Sequence, residues 1–389
     1  MKLLCKTSDL LQALTLVSRA ISGQQALPIL GNVLLEVEGK RCKVSATDLE
    51  LSIVTSFEAS IENEGSITVP AKAILNFAQY NSDQEVLLET SEGTHLKCTS
   101  KHAKTLISGE AASEYPTITP IEKETSFTLD AAPLLDALHM VTFASTKTAL
   151  RPVLSGVFLR AEKGHLTFVA TDSYRLSEYK IPTKASNIDI SCIVPTKVLE
   201  ELKSILGSHK AERHEEREKK EEKKEKKEPI SSPVEVALSA QQIELRIGQT
   251  RLLSRLIDGR FPDYKQIIPK EEKTTVTIST REFAPVIKRM HYFAKEINNN
   301  LTFSFGKDGV QVKTPQTQSG RDEASLPAQV KGDPNKIALS SSYLLDFFSH
   351  AEGPEVVIGL IDSMHPAVFR LPSNDLYLHL IMPLRLQEE

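Results

Sequence analysis

Along the first hundred residues the hydrophobic and polar positions switch between two periods in a definite order. Leu10, Leu14 and Val17 recur at helical spacing and predict a helix over 8–22. Alternation of period two, as in Lys43-Val44-Ser45-Ala46, predicts strands near 31–38, 41–47 and 50–60. A second helix is expected near 71–80, then strands near 85–90, 94–99 and 103–108, with the turn pair Glu92-Gly93 between two of them. Two helices on one face of a mostly antiparallel sheet make an α+β layer.

The pattern then repeats. Ile29-Leu30-Gly31-Asn32-Val33-Leu34-Leu35, closing on Ala46-Thr47-Asp48, returns 124 residues later as Val153-Leu154-Ser155-Gly156-Val157-Phe158-Leu159, closing on Ala170-Thr171-Asp172. A third, weaker copy keeps the opening amphipathic run, Glu282-Phe283-Ala284-Pro285-Val286-Ile287. It also keeps the strand running into the second helix, Leu339-Ser340-Ser341-Ser342, the counterpart of Val69-Pro70-Ala71-Lys72 and Val194-Pro195-Thr196-Lys197. The triplet Ala-Thr-Asp is lost there, with Lys313-Thr314-Pro315 in its place. A period this long is a domain, not a solenoid unit. Three domains are expected, over residues 1–123, 124–272 and 273–389.

Charge singles out one interruption. The opening helices of copies two and three stand 149 residues apart, so the second copy carries extra chain, about 208–232. Within it, Lys210 to Glu228 holds nine basic and eight acidic side chains, many as Glu to Lys pairs four apart, such as Glu215 with Lys219 and Glu222 with Lys226. Such a run has no apolar face to bury and is expected as a solvated hairpin extension or loop. Its near-zero net charge argues against a nucleic-acid tail.

Composition excludes several classes. Forty per cent apolar and 25% charged residues are ordinary soluble usage. Cys5, Cys42, Cys98 and Cys192 have no ligand spacing, which suits buried thiols in a reducing cytoplasm. Met1 to Leu16 is apolar enough to suggest a secretory leader, but Asp9 and Gln12 interrupt it and no small-residue cleavage site follows. The segment is read as part of the first helix. Phosphate-binding glycine loops, a His-x-x-x-His helix and a nucleophile elbow are all missing, so neither cofactor nor metal is expected. Asp48 and Asp172 sit at equivalent places. They could serve as ligands or as an acid and base, but the better reading is that each orders the turn after its strand.

Four strings now converge: Leu27-Pro28-Ile29-Leu30-Gly31-Asn32, Ala170-Thr171-Asp172-Ser173-Tyr174-Arg175-Leu176, Asp258-Gly259-Arg260-Phe261-Pro262-Asp263-Tyr264 and Ile381-Met382-Pro383-Leu384-Arg385-Leu386. In this order, on a threefold repeat, they resemble the bacterial DNA polymerase III beta subunit, the sliding-clamp family. The resemblance covers the whole chain apart from the charged insertion. It implies a non-catalytic processivity factor, a head-to-tail homodimer of six domains threaded by double-stranded DNA. Geometry agrees, since three spheres of domain size, each about 35 Å across, leave a hole of only about 5 Å, whereas six leave about 35 Å.

The resemblance also implies two sets of residues. A hydrophobic pocket for short peptides would use Leu154, Thr171, Ser173, Tyr174, Arg175, Leu176, Pro262, Ile267, Met382, Pro383, Leu384, Arg385 and Leu386. Its partners would be the replicative polymerase, the clamp loader, repair polymerases and mismatch-repair factors. An inner wall facing DNA would use Gln24, Lys72, Lys147, Arg151, Lys197, Lys203, Lys288 and Arg289. The net charge of −4 fits a ring, because enclosure replaces tight phosphate binding. The protomer contact is expected near Leu96 to Ile107 and the start of the third copy. The competing readings are a non-DNA adaptor scaffold and an enzyme with an unrecognised site.

Overall fold

One order of elements occurs three times in the computed structural model, the second copy showing one strand fewer among its described residues. The first copy runs β1 (Lys2–Lys6), α1 (Thr7–Val17), β2 (Asn32–Glu38), β3 (Arg41–Thr47), β4 (Leu51–Glu58), β5 (Ser60–Asn63), β6 (Gly65–Pro70), α2 (Ala71–Tyr80), β7 (Glu85–Ser91), β8 (His95–Thr99) and β9 (Lys104–Ser108). The second runs β10 (Thr125–Leu129), α3 (Ala131–Val141), β11 (Gly156–Glu162), β12 (His165–Thr171), β13 (Arg175–Pro182), β14 (Ser191–Pro195), α4 (Thr196–Lys220), β15 (Val234–Leu238), β16 (Gln242–Ile247) and β17 (Thr250–Arg255). The third runs β18 (Thr274–Ser279), α5 (Thr280–Ala294), β19 (Asn300–Gly306), β20 (Gly309–Lys313), β21 (Glu323–Leu326), β22 (Gln329–Gly332), β23 (Asn335–Ser340), α6 (Ser341–His350), β24 (Glu355–Leu360), β25 (Ala367–Leu371) and β26 (Asn374–Ile381). The structure describes residues 1–386 except 22, 24–26, 92–93, 149, 184–189 and 221–232, and over 209–220 the backbone alone.

Strands of one copy divide between two sheets. Its first strand joins its last three, as in β1-β7-β8-β9, while its middle strands form β4-β3-β2-β6 and their counterparts. The copies are then stitched edge to edge. Strand β17 pairs antiparallel with β4 (Leu252 opposite Ile53), giving an eight-stranded sheet. Strand β26 pairs in the same way with β13 (Leu380 opposite Leu176), giving a nine-stranded sheet. The described residues pack as two units, Met1–Ala132 with Lys197–Leu256, and Pro133–Thr196 with Ile257–Glu389, so the division runs through the second copy.

Helices cover these sheets through one apolar stripe each. Helix α1 buries Leu10, Ala13, Leu14 and Val17, and α2 buries Ala71, Ile74, Phe77 and Ala78, spacings that keep one face toward the core. In the other unit α5 buries Phe283, Ile287, Met290 and Ala294, and Phe283 meets Phe303 and Phe348 edge-on. Each fully buried Leu or Phe contributes about 2 kcal/mol through removal from water.

Three expectations need correction. The apolar start is not all helix: Lys2–Lys6 is a strand, with Leu3 and Cys5 buried and Leu4 39% exposed, a period of two hidden in a run too short to declare itself. Helix α1 ends at Val17 and passes into a tighter turn, Ser18–Ala20. The charged insertion is neither hairpin nor loop where it is described, because α4 continues through it to Lys220. The Glu to Lys spacing of four, which offers no apolar stripe in the sequence, is also a spacing that favours helix. The Glu92-Gly93 turn lies outside the described residues.

Candidate functional site

The string from Ala170 to Leu176 ends β12, makes a tight turn and starts β13. Thr171 Oγ1 donates to the Arg175 carbonyl (2.6 Å) and accepts from the Ser173 N–H (3.1 Å). Asp172 Oδ1 accepts from the N–H groups of Tyr174 (2.9 Å) and Arg175 (3.0 Å). These four bonds hold Ser173 in the left-handed region, at φ +81°, and lift Tyr174 into solvent, 61% exposed. Both aspartates therefore order turns, since Asp48 Oδ1 accepts in the same way from Glu50 and Leu51.

The C-terminal string lies against this turn. Met382 N–H donates to the Tyr174 carbonyl (2.8 Å), Leu384 N–H to the Ala338 carbonyl (2.7 Å), and Asn300 Nδ2 to the Arg385 carbonyl (3.1 Å). Two backbone bonds and one from the Asn300 side chain thus fix the tail between the turn and the end of β23, leaving Met382, Pro383, Leu384 and Leu386 half-buried and Arg385 exposed. Leu154 and Leu176 are core residues, 3% and 1% exposed, which cluster with Val169, Ile193, Phe261 and Tyr264 beneath the site. Pro262 and Ile267 are exposed on the segment that follows β17. Tyr264 anchors that segment by donating its hydroxyl to Glu178 Oε2 (2.5 Å). Burial first, then the carboxylate, pushes the phenol far above its ordinary range, so the donor keeps its proton.

Arg175 is the buried charge of the site, 9% exposed. Its Nε donates to Asp172 Oδ2 (3.2 Å), Nη1 to Asp346 Oδ2 (2.5 Å) and Nη2 to the Phe143 carbonyl (3.0 Å). The guanidinium also lies over the rings of Phe143 and Tyr343, at 5.5 and 4.7 Å. Sequence reasoning missed Asp346, Tyr343 and Phe143. No local spacing signals them, because each reaches Arg175 through the fold.

The candidate DNA residues divide between the two units. Lys72, Lys197 and Lys203 belong to the first unit, and Lys147, Arg151, Lys288 and Arg289 to the second; Gln24 lies outside the described residues. Lys72, Lys147 and Lys288 are exposed. Four others already have partners: Lys197 bonds Asp48, Lys203 pairs with Glu200, Arg151 donates to Ser173 Oγ, and Arg289 forms a two-bonded pair with Asp322 (2.8 and 3.1 Å). The Asp322 partner holds the Arg289 guanidinium still more firmly in its charged form.

Comparison with known proteins follows the same division of the chain. Three family models match in order: the N-terminal domain of the DNA polymerase III beta subunit over residues 1–119, its central domain over 128–213 and its C-terminal domain over 265–385. The chain belongs to the DNA polymerase III beta subunit family. A "Beta sliding clamp" of Synechocystis is 28% identical, with 99% of this chain and 100% of the relative covered. The Thermotoga maritima DNA polymerase III beta subunit superposes with a TM-score of 0.88 at 25% identity, covering 99% of this chain and all of that one. The DNA polymerase sliding clamp of Bacillus subtilis reaches a TM-score of 0.90 at 24% identity over the full length of both chains. The family's three-domain architecture is thus the one found here.

Proposed function

We propose that this protein is a sliding clamp: a closed dimer that encircles duplex DNA and tethers the replicative polymerase, without catalysing a reaction itself. The observation that carries this reading is the stitching of the copies. The last strand of copy two pairs with the fourth strand of copy one, β4, and the last strand of copy three with its counterpart β13. The same step leaves two strands over, each at a sheet edge among the described residues: β9, the last of copy one, and β21, the counterpart of β4 in copy three. A long unpaired edge is a template for another chain. Pairing β9 of each protomer with β21 of the other repeats the internal joint twice more and closes a six-domain ring. This reading keeps one side of the expected contact, since β9 overlaps Leu96 to Ile107, and takes β21 rather than the start of the third copy for the other. Strand β8, which holds Leu96, and β18, which opens the third copy, are each paired on both sides, whereas β9 keeps Leu106 61% exposed.

Exposed bases such as Lys72 and Lys288 fit a wall that meets phosphates loosely, since many strong contacts would slow sliding. The turn at Tyr174 and the tail Met382–Leu386 suit an extended partner peptide, with apolar side chains to anchor it and backbone groups along its edge. We read the polymerase, the clamp loader and repair factors, mismatch-repair proteins included, as its ligands. The domains would divide near residues 123 and 272, and the site of action would be the cytoplasm. Deleting Met382 to Leu386 tests the groove: loss of peptide binding with the dimer mass retained is expected, and retained affinity would refute it.

A further inference from the structure

The first copy contains a twin of the Tyr174 turn. Thr47 Oγ1 donates to the Leu51 carbonyl (3.2 Å) and accepts from the Leu49 N–H (3.0 Å), and Asp48 Oδ1 accepts from Glu50 N–H (3.1 Å) and Leu51 N–H (2.8 Å). Leu49 takes φ +77°, matching Ser173 at +81°. All four bonds and the left-handed residue coincide, yet the position of Arg175 is filled by Leu51, 1% exposed. The turn therefore folds with an apolar side chain at this place. Burying a guanidinium there costs desolvation that leucine does not incur, and a buried ion pair is commonly matched or bettered in stability by apolar packing. The charge and its partners need a reason other than the fold of the turn.

We propose that Asp346 of α6 is a positioning residue for the partner-peptide groove, acting through Arg175. The guanidinium joins three things at once: the turn through Asp172, the helix through Asp346 and the Tyr343 ring, and the Phe143 carbonyl. Asp172 in turn holds the Tyr174 N–H, and the Tyr174 carbonyl receives the Met382 N–H. A continuous chain of bonds thus runs from α6 to both walls of the groove. Its effect is to hold the walls in one geometry before a peptide arrives, so that binding does not bear the cost of ordering them. The first-copy twin lacks this strut: its second aspartate oxygen bonds Lys197, and Leu49, 51% exposed, is held by the turn alone.

This inference rests on the clamp reading, and the test separates the two. Binding of a fluorescein-labelled short peptide from the replicative polymerase is measured with the full-length protein, its Asp346→Asn and Asp346→Ser variants, and the Met382–Leu386 deletion. If the wild type does not bind, the clamp reading of the groove fails. If it binds, Asp346→Asn is expected to raise Kd about tenfold, mostly through faster dissociation. Hydrogen exchange at the Tyr174 and Met382 amides should quicken while the dimer mass stays unaltered. A purely structural role would lower Tm with Kd and amide exchange unchanged, and that result would overturn the proposal. Should Asp346→Asn fail to fold, Asp346→Ser reads the same quantities, and wild-type Kd and exchange in it would count equally against the strut.

Discussion

At the residue scale, two side chains bear a cost that can be measured. Leu49 sits at φ +77° with half its surface in water, so its left-handed backbone is strained by about 1 to 2 kcal/mol while little burial is at stake. Leu49→Gly is expected to stabilise the protein by about 0.5 to 1 kcal/mol in urea unfolding, the gain reduced by the flexibility of glycine in the unfolded chain. His379 is fully buried, stacked 5.1 Å from Phe347, with Nδ1 on Ser177 Oγ (2.8 Å) and no partner for Nε2. Burial first, then the nearby Arg175 charge, pushes its pKa well below 6.5. Below that pH the unfolded chain gains a proton that the folded chain refuses. The contribution is therefore complete above about pH 6.5 and declines as the pH falls further. Thermal melts between pH 7 and 5 should show a shallower acid decline for His379→Phe than for wild type; equal slopes would remove His379 from the cause. The sequence revealed Thr171, Asp172 and Arg175 as a string, because turn chemistry is local. It gave no hint of Asp346, 171 positions away, because a partner brought in by the fold leaves no spacing to read.

Periodicity governed what could be read at the element scale. The predicted strands near 41–47 and 103–108 and the helix near 71–80 coincide with β3, β9 and α2; in β3 the buried apolar Cys42, Val44 and Ala46 keep period two, and in α2 Ala71, Ile74, Phe77 and Ala78 keep one face. The five residues of β1 were absorbed into the helix that follows, since a short alternation beside a longer helical pattern carries too few repeats. The division of each copy into two sheets was hidden for another reason: strand order is set by pairings between distant segments. The second half of helix α4 shows the opposite case: past the buried Leu202 and Ile205 the sequence offers no apolar stripe, yet the backbone stays helical to Lys220. Its equivalents α2 and α6 are ten residues long, against 25 here, so the extra turns add nothing that the shared fold requires. Deleting residues 209–232 and joining the ends with a short Gly-Ser turn is expected to leave Tm within about 2 °C, a surface-sized effect, and DNA loading unchanged. A marked loss of loading would assign the extension a task.

For the whole molecule, the internal repeat supplies the assembly rule. Two joints of the same kind are already made within the chain, and the strands for a third remain at sheet edges. A net charge of −4 is then no obstacle, because the proposed ring would hold DNA by enclosure. The repeat and its spacing were legible in the sequence. The identity of the joining strands was not, because nothing in β9 or β21 taken alone says which edge stays open. The most direct measurement is retention on DNA of two topologies after loading by an ATP-driven loader. The protein should stay on a closed circular duplex through a wash at high salt and leave when the circle is cut once by a restriction enzyme. Release from the intact circle at the same salt, or retention on the linear product, would contradict the account.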